Sequence, residues 1–236
     1  GLVLPVAKII RELNARGIES LVDGAHAPGM LPLNLRKLGA TYYTGNCHKW
    51  LCAPKAAALL YVDRNRRADI HPLVISHGAN STRADRSRYL LEFGWMGTGD
   101  FAACLSVPES IRVIGALLPG GWAAVMKRNR ALALAARRLL CDALEILPPC
   151  PDEMIGSLAA LPLPDMAAAD VVRVSNGLDP LRGRLLREHG IEVPVFPWPA
   201  PPKRLLRVSA QLYNSLPQYE RLVEVLKKVL HSRKSR

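Results

Sequence analysis

Val22-Asp23-Gly24-Ala25-His26-Ala27-Pro28-Gly29 and, further along, Thr44-Gly45-Asn46-Cys47-His48-Lys49-Trp50-Leu51-Cys52-Ala53-Pro54-Lys55 decide how this chain is read. Each follows a short apolar run. Ile18 to Val22 reads as a short buried strand ending at Asp23, and Thr41 to Thr44 as a second strand that ends in the loop Gly45 to Trp50. A carboxylate and a lysine therefore stand at the C-terminal ends of two strands, where open α/β sheets place their ligands. Taken singly, each has an ordinary explanation. Asp in Asp-Gly is a turn former, and a lysine after a strand is commonly just solvated.

Outward from these stretches, the pattern alternates. Val6, Ile9, Ile10 and Leu13 fall at helical spacing, with Pro5 in the first turn and Gly17 as the stop. A short helix is expected around Leu33 to Leu38, ending at Gly39, and a third strand over Ala56 to Val62. Alternation of this length predicts an α/β sheet covered by helices. Leu73 to Gly99 lacks periodicity and reads as a functional loop region. Helix is expected again over Asp100 to Leu117, broken by Pro119-Gly120-Gly121, then a long helix from Trp122 to about Ile146. Strands at Gly156 to Leu163, Val171 to Ser175, Ile191 to Phe196 and Leu205 to Ser209, with helices near Leu181 to His189 and Pro217 to Leu230, complete a small α+β domain. The expected division is 1–118 for a partial large domain and 119–236 for the small one.

Composition narrows the function classes. The chain has 236 residues, 49% hydrophobic and 22% charged, a globular balance, and no apolar run approaches the roughly 18 residues a bilayer requires. The N-terminus runs at once into Lys8, Arg11 and Glu12, unlike a signal peptide, and the chain opens in mid-pattern without Met, as a fragment would. Five irregularly spaced cysteines suit reduced thiols in a cytoplasm. Cys47-His48 and Cys52 lack a second pair at ligand spacing, so no metal is expected. The net charge is +12, from 32 basic and 20 acidic residues. The basic clusters, including the tail Arg233-Lys234-Ser235-Arg236, are scattered and not interleaved with aromatics. They read as solvated helix faces rather than a nucleic-acid surface.

The two opening stretches closely resemble the cofactor site of class V aminotransferases, pyridoxal-phosphate (PLP) enzymes of fold type I, and most of all the isopenicillin N epimerase branch. Gly94-Trp95-Met96-Gly97-Thr98-Gly99-Asp100, Met154 to Pro164, Val193 to Trp198 and Leu206-Arg207-Val208-Ser209-Ala210-Gln211-Leu212-Tyr213-Asn214 extend the likeness over nearly the whole chain. The resemblance implies the C-terminal part of the large PLP-binding domain, followed by the small domain. It implies Lys49 as the Schiff-base lysine and base for the substrate α-proton, and Asp23 as partner of the ring nitrogen. His26 would bond the ring hydroxyl, and Asn46 and His48 would touch the phosphate. Thr98 would reach the cofactor of a partner subunit in a homodimer, and Arg207 would grip the substrate carboxylate. These residue types suit the work. Burial can lower a lysine pKa, and the planar guanidinium fork matches a carboxylate.

Three positions depart from the family pattern: Ala56 stands where glycine is usual, Gly99 where arginine is frequent, and Met96 where threonine is frequent. The family's glycine-rich phosphate loop and ring-stacking aromatic belong to an N-terminal half not found in these residues. The implied activity is epimerisation at an amino-acid centre, with carbon–sulfur lysis or transamination as alternatives. A non-catalytic dimerisation or nucleic-acid-binding remnant is the reading from a different class. Cysteine desulfurase chemistry needs a mobile cysteine shortly before the carboxylate arginine, and none lies between Cys150 and Arg207.

Overall fold

The computed structural model describes residues 1–174 and 179–231. The chain forms two compact units, one of Pro5–Trp122 and one of Gly1–Leu4 with Ala123–Arg236. The first four residues group with the second unit, where the Val3 N–H donates to the Met154 carbonyl at 2.8 Å.

The first unit opens with α1 (Val6–Ala15), led in by Pro5 and burying Ile10. β1 (Leu21–Asp23) follows. α2 (Leu35–Leu38) is capped by the Asn34 side chain, which accepts from the Lys37 N–H, and ends at Gly39. β2 (Tyr42–Asn46) and β3 (Ala58–Val62) complete a sheet of order β1-β2-β3, in which β1 and β2 are parallel and β2 and β3 antiparallel. α3 (Arg88–Gly94) starts at Ser87, whose hydroxyl accepts from Leu90, and α4 (Ala102–Leu105) and α5 (Val107–Ala116) follow. A small apolar cluster of Cys47, Leu51, Ala53 and Ala57, backed by Leu59, Val107 and Trp122, lies beneath the segment that carries Lys49.

The chain enters the second unit within α6 (Gly121–Leu144). β4 (Leu158–Leu163), α7 (Ala168–Val171), α8 (Pro180–His189), β5 (Val195–Pro197), β6 (Arg204–Ser209) and α9 (Leu216–His231) follow. The sheet is antiparallel in the order β4-β6-β5. Its core joins Ala136 and Leu140 of α6, Leu161 of β4, Leu185 of α8, Leu206 and Val208 of β6, and Leu222 and Leu226 of α9. The period-2 pattern of β6 points Leu206 and Val208 into this core and leaves Arg207 on the other face. Arg204 is fully buried and pairs with Asp179 at 3.1 Å, while Asp179 also caps α8 through the Leu181 N–H.

Several expectations are corrected. The first strand begins at Leu21, not Ile18, and is not buried: Leu21 is 69% exposed. The second strand runs on to Asn46, because Gly45 and Asn46 pair with Leu59 and Ala58. Leu73 to Gly99 contains α3, whose serine cap stabilises a turn too short to show periodicity. The helix over Asp100 to Leu117 is two, meeting at Ser106 before Pro108. Val171 closes a short helix rather than opening a strand, so the valine-rich run misled; Ser175 and the basic tail after residue 231 lie outside the described residues.

Candidate functional site

β1 and β2 run side by side in parallel, with Asp23 opposite Thr44, so both deliver their ends to the same edge of the sheet. Backbone bonds carry the alignment past the strands. The Gly24 N–H donates to the Thr44 carbonyl at 2.9 Å, and the Asn46 N–H to the Ala25 carbonyl at 3.3 Å. Asp23 is exposed, and its Oδ1 accepts from the Ala25 N–H at 3.0 Å, which turns the carboxylate along the loop. Asp23, His26, Asn46, His48 and Lys49 thus belong to two adjacent loops at one sheet edge.

The loop after β2 is tightly built. The Cys47 and His48 N–H groups both donate to the Ala57 carbonyl, at 2.9 and 3.2 Å, and the Ala53 N–H returns to the Cys47 carbonyl at 3.1 Å. His48 Nδ1 lies 3.0 Å from the same Ala57 carbonyl. A carbonyl can only accept, so Nδ1 carries a proton there, and His48 would need both nitrogens protonated to donate to a phosphate through Nε2 as well. The ordinary reading of His48 as a satisfied loop histidine therefore accounts for one of its nitrogens. Burial pushes the Cys47 thiol up, with Cys104 adding to the effect. Lys49 is half-buried, and among the described residues its amine has no hydrogen-bond or ion-pair partner.

Two contacts absent from the sequence reading lock the loops together. The buried Trp50 donates from Nε1 to His26 Nδ1 at 3.3 Å, which leaves the neutral His26 ring its proton on Nε2. Gly29, at φ +81°, approaches so closely that a Cβ would stand 2.7 Å from the Trp50 carbonyl carbon and 2.8 Å from the Leu51 nitrogen. The only signal in the sequence was a tryptophan directly after the lysine and a glycine after Pro28.

Thr98 lies in the exposed stretch between α3 and α4, and no hydrogen bond ties it to the Lys49 loop among the described residues. Arg207 belongs to the second unit. It sits on β6 opposite Ala160 of β4, its N–H donates to the Pro194 carbonyl at 3.0 Å, and its Nε is buried without a partner among the described residues. With Glu192, Asn214, Gln218 and Arg221 it lines a cavity of about 360 Å³. A guanidinium that lines a cavity is suited to an anionic group.

Residues 1–177 match the family model described as aminotransferase class-V. The chain belongs to the class V aminotransferase family. It is 34% identical over 238 residues to isopenicillin N epimerase of Streptomyces clavuligerus, covering 96% of this chain and 56% of that protein. It is 28% identical over 249 residues to putative L-cysteine desulfhydrase 1 of Oryza sativa subsp. japonica, covering 97% of this chain and 49% of that protein. The apo cysteine desulfurase of Thermococcus onnurineus NA1 shares the fold, with a TM-score of 0.72 at 19% identity over 98% of this chain and 57% of that one. The chain spans about half the length of the curated relatives it matches.

Enzymes of this family depend on PLP. The donor set fits that group: a half-buried amine without a partner, a carboxylate at the neighbouring strand end, and a histidine held by Trp50. Glycine at positions 24, 29 and 45 keeps this region free of side chains that would strike Tyr43, the Trp50–Leu51 backbone and Pro28. Among the departures from the family pattern, Ala56 has a structural trace. Its φ is +72°, a left-handed conformation that favours the glycine usual at this position.

Proposed function

We propose that this chain carries the lysine-bearing part of a PLP-dependent active site, and that the enzyme it serves epimerises an amino-acid centre. The observation that carries the reading is the delivery of Asp23 and Lys49 to one sheet edge by neighbouring parallel strands. PLP, when bound, supplies an electron sink that stabilises a carbanion at the substrate α-carbon. Lys49 would hold the cofactor through its amine and would serve as the base for the substrate α-proton. Asp23 would keep the ring nitrogen protonated, and His26 would donate to the ring hydroxyl from Nε2. Asn46 and His48 would contact the phosphate. Arg207 binds the substrate carboxylate through its unpaired guanidinium. Thr98 is assigned to the cofactor phosphate of a second subunit, which makes the working form a homodimer.

The preference for epimerisation rests on the 34% identity to isopenicillin N epimerases of Streptomyces clavuligerus and Amycolatopsis lactamdurans. Carbon–sulfur lysis is the second reading, favoured by desulfhydrase relatives at 28 to 30% identity. Both reactions share the α-proton removal assigned to Lys49 and divide afterwards.

The purified chain mixed with PLP is expected to develop the visible band of lysine-bound cofactor, and borohydride is expected to fix one PLP on the peptide containing Lys49. Lys49→Ala loses both. Labelling elsewhere, or an unchanged band in the variant, overturns the assignment. Incubation with amino acids in D₂O then separates the reactions: α-deuteration with loss of chirality supports epimerisation, whereas pyruvate and sulfide from cysteine support lysis.

A further inference from the structure

Tyr43 has no part in the site described so far, yet its side chain reaches it. The residue pairs with Val22 across the β1–β2 ladder and is 2% exposed. Its hydroxyl is buried and makes no hydrogen bond among the described residues. A buried hydroxyl without a partner is costly, and folds usually satisfy one or replace it with phenylalanine. The position of the hydroxyl is specific. It occupies the space where a Cβ on Gly24 would stand, so any other residue at 24 would displace the phenol. Gly24 directly follows Asp23, whose carboxylate is already bent back onto the Ala25 N–H of the same turn. Burial raises the phenol above its ordinary range, and the Asp23 charge raises it further.

We propose that Tyr43 is a positioning residue for Asp23: its hydroxyl, seated against Gly24, is placed to donate to the Asp23–Gly24 turn when the carboxylate engages the cofactor ring nitrogen. The proposal rests on the assignment of Asp23 to that nitrogen. A donor beneath the turn restricts where the carboxylate can point, and glycine at 24 leaves the path between them open. Without a partner among the described residues, the buried hydroxyl sits at the strand end that carries the site's acid. This is the pattern expected of a group kept for function.

The test uses the full chain and two variants, Tyr43→Phe and Asp23→Ala, with their combination. Tyrosine ring carbons are labelled with ¹³C and titrated by NMR without cofactor. The Tyr43 resonance is expected to titrate closer to an ordinary tyrosine in Asp23→Ala. Affinity for PLP is measured in parallel. Tyr43→Phe is expected to weaken it about tenfold, the scale of a hydrogen bond to a charged group, and to have no further effect once Asp23 is alanine. A Tyr43 titration indifferent to Asp23→Ala overturns the proposal. So does an equal loss of affinity in both backgrounds, which marks a merely structural tyrosine. If the wild-type chain binds no PLP, the reading of this chain as a cofactor site on its own falls, and the titration alone still decides whether Tyr43 and Asp23 are linked.

Discussion

Gly29→Ala tests whether the two loops of the site are one object. The substitution adds a single methyl group at a residue with φ +81°, a conformation that costs an L-residue roughly 1–2 kcal/mol. The methyl would also meet the Trp50 carbonyl carbon at 2.7 Å and the Leu51 nitrogen at 2.8 Å. These are backbone atoms and cannot rotate away. Overpacking against such atoms costs about 1–3 kcal/mol, giving a total of about 2–5 kcal/mol. For a unit the size of Pro5–Trp122, where each kcal/mol moves the midpoint by roughly 4 °C, thermal unfolding should shift down by about 8 °C or more. Circular dichroism gives the midpoint, and Trp50, one of four tryptophans, should become more exposed. PLP affinity should fall with stability, because the shift parts the loop of Asp23 from the loop of Lys49. Gly94→Ala is the control. A Cβ there meets nothing within 4 Å, so its cost should stay within about 0.5 kcal/mol. If Gly29→Ala costs less than about 1 kcal/mol and binds PLP as the wild type does, the close approach does not hold the site together.

Other expectations follow from the same geometry. Ala56→Gly should stabilise the chain by up to about 1 kcal/mol, since it relieves a φ of +72°, offset by the entropy that glycine loses on folding. Urea unfolding checks it, and a lower midpoint counts against the strain. Glu92 accepts from His71 Nδ1 at 2.5 Å and from Arg88 at 3.2 Å, and these bonds, His71's foremost, hold its carboxyl below the ordinary value of 4.5. A depressed carboxyl contributes stability that is present above its unfolded value and lost as pH falls through the folded one. Arg88 also ties down the carbonyls of Gly78, Ala79 and Ser81. Hydrogen exchange at residues 76–82 should therefore quicken relative to the intrinsic rate below pH 4.5, and Glu92→Gln should flatten that response. Matching profiles in the two proteins would remove Glu92 from the account.

What could be read from the sequence depended on how locally each feature is encoded. α1 and the end of α2 were legible because Pro5, Gly17 and Gly39 mark them through backbone chemistry that needs no distant partner, whereas Asn34, expected inside the helix, is its cap. Asp23 and Lys49 were legible as strand-end residues. The direction of β3, antiparallel to β2, was not, because orientation depends on the turn at residues 47–57 rather than on the strand's own side chains. α3 was hidden because its stability comes from a serine cap and from Arg88 and Glu92, not from a long apolar stripe. The valines near 171 suggested a strand, but the backbone there closes a turn of helix, with Val172 84% exposed. Intrinsic preference lost to context at that point.

The supports of the candidate site were the least legible part, and the reason is physical. Trp50, Gly29 and Tyr43 act through contacts with residues 24, 21 and 19 positions away, so no local pattern announces them. Their effects also differ in kind. Trp50 gives His26 a defined tautomer, Gly29 allows two backbones to touch, and Tyr43 places an unpaired donor beneath the turn of Asp23. Among the described residues, only the first forms a hydrogen bond through its side chain. If all three were simply packing, replacing Tyr43 with phenylalanine would leave stability and cofactor affinity together, either both unchanged or both reduced. If Tyr43 serves the carboxylate, the same change leaves stability intact or higher while affinity falls, because it removes a buried hydroxyl that has no partner among the described residues. That divergence separates a supporting residue from a filling one.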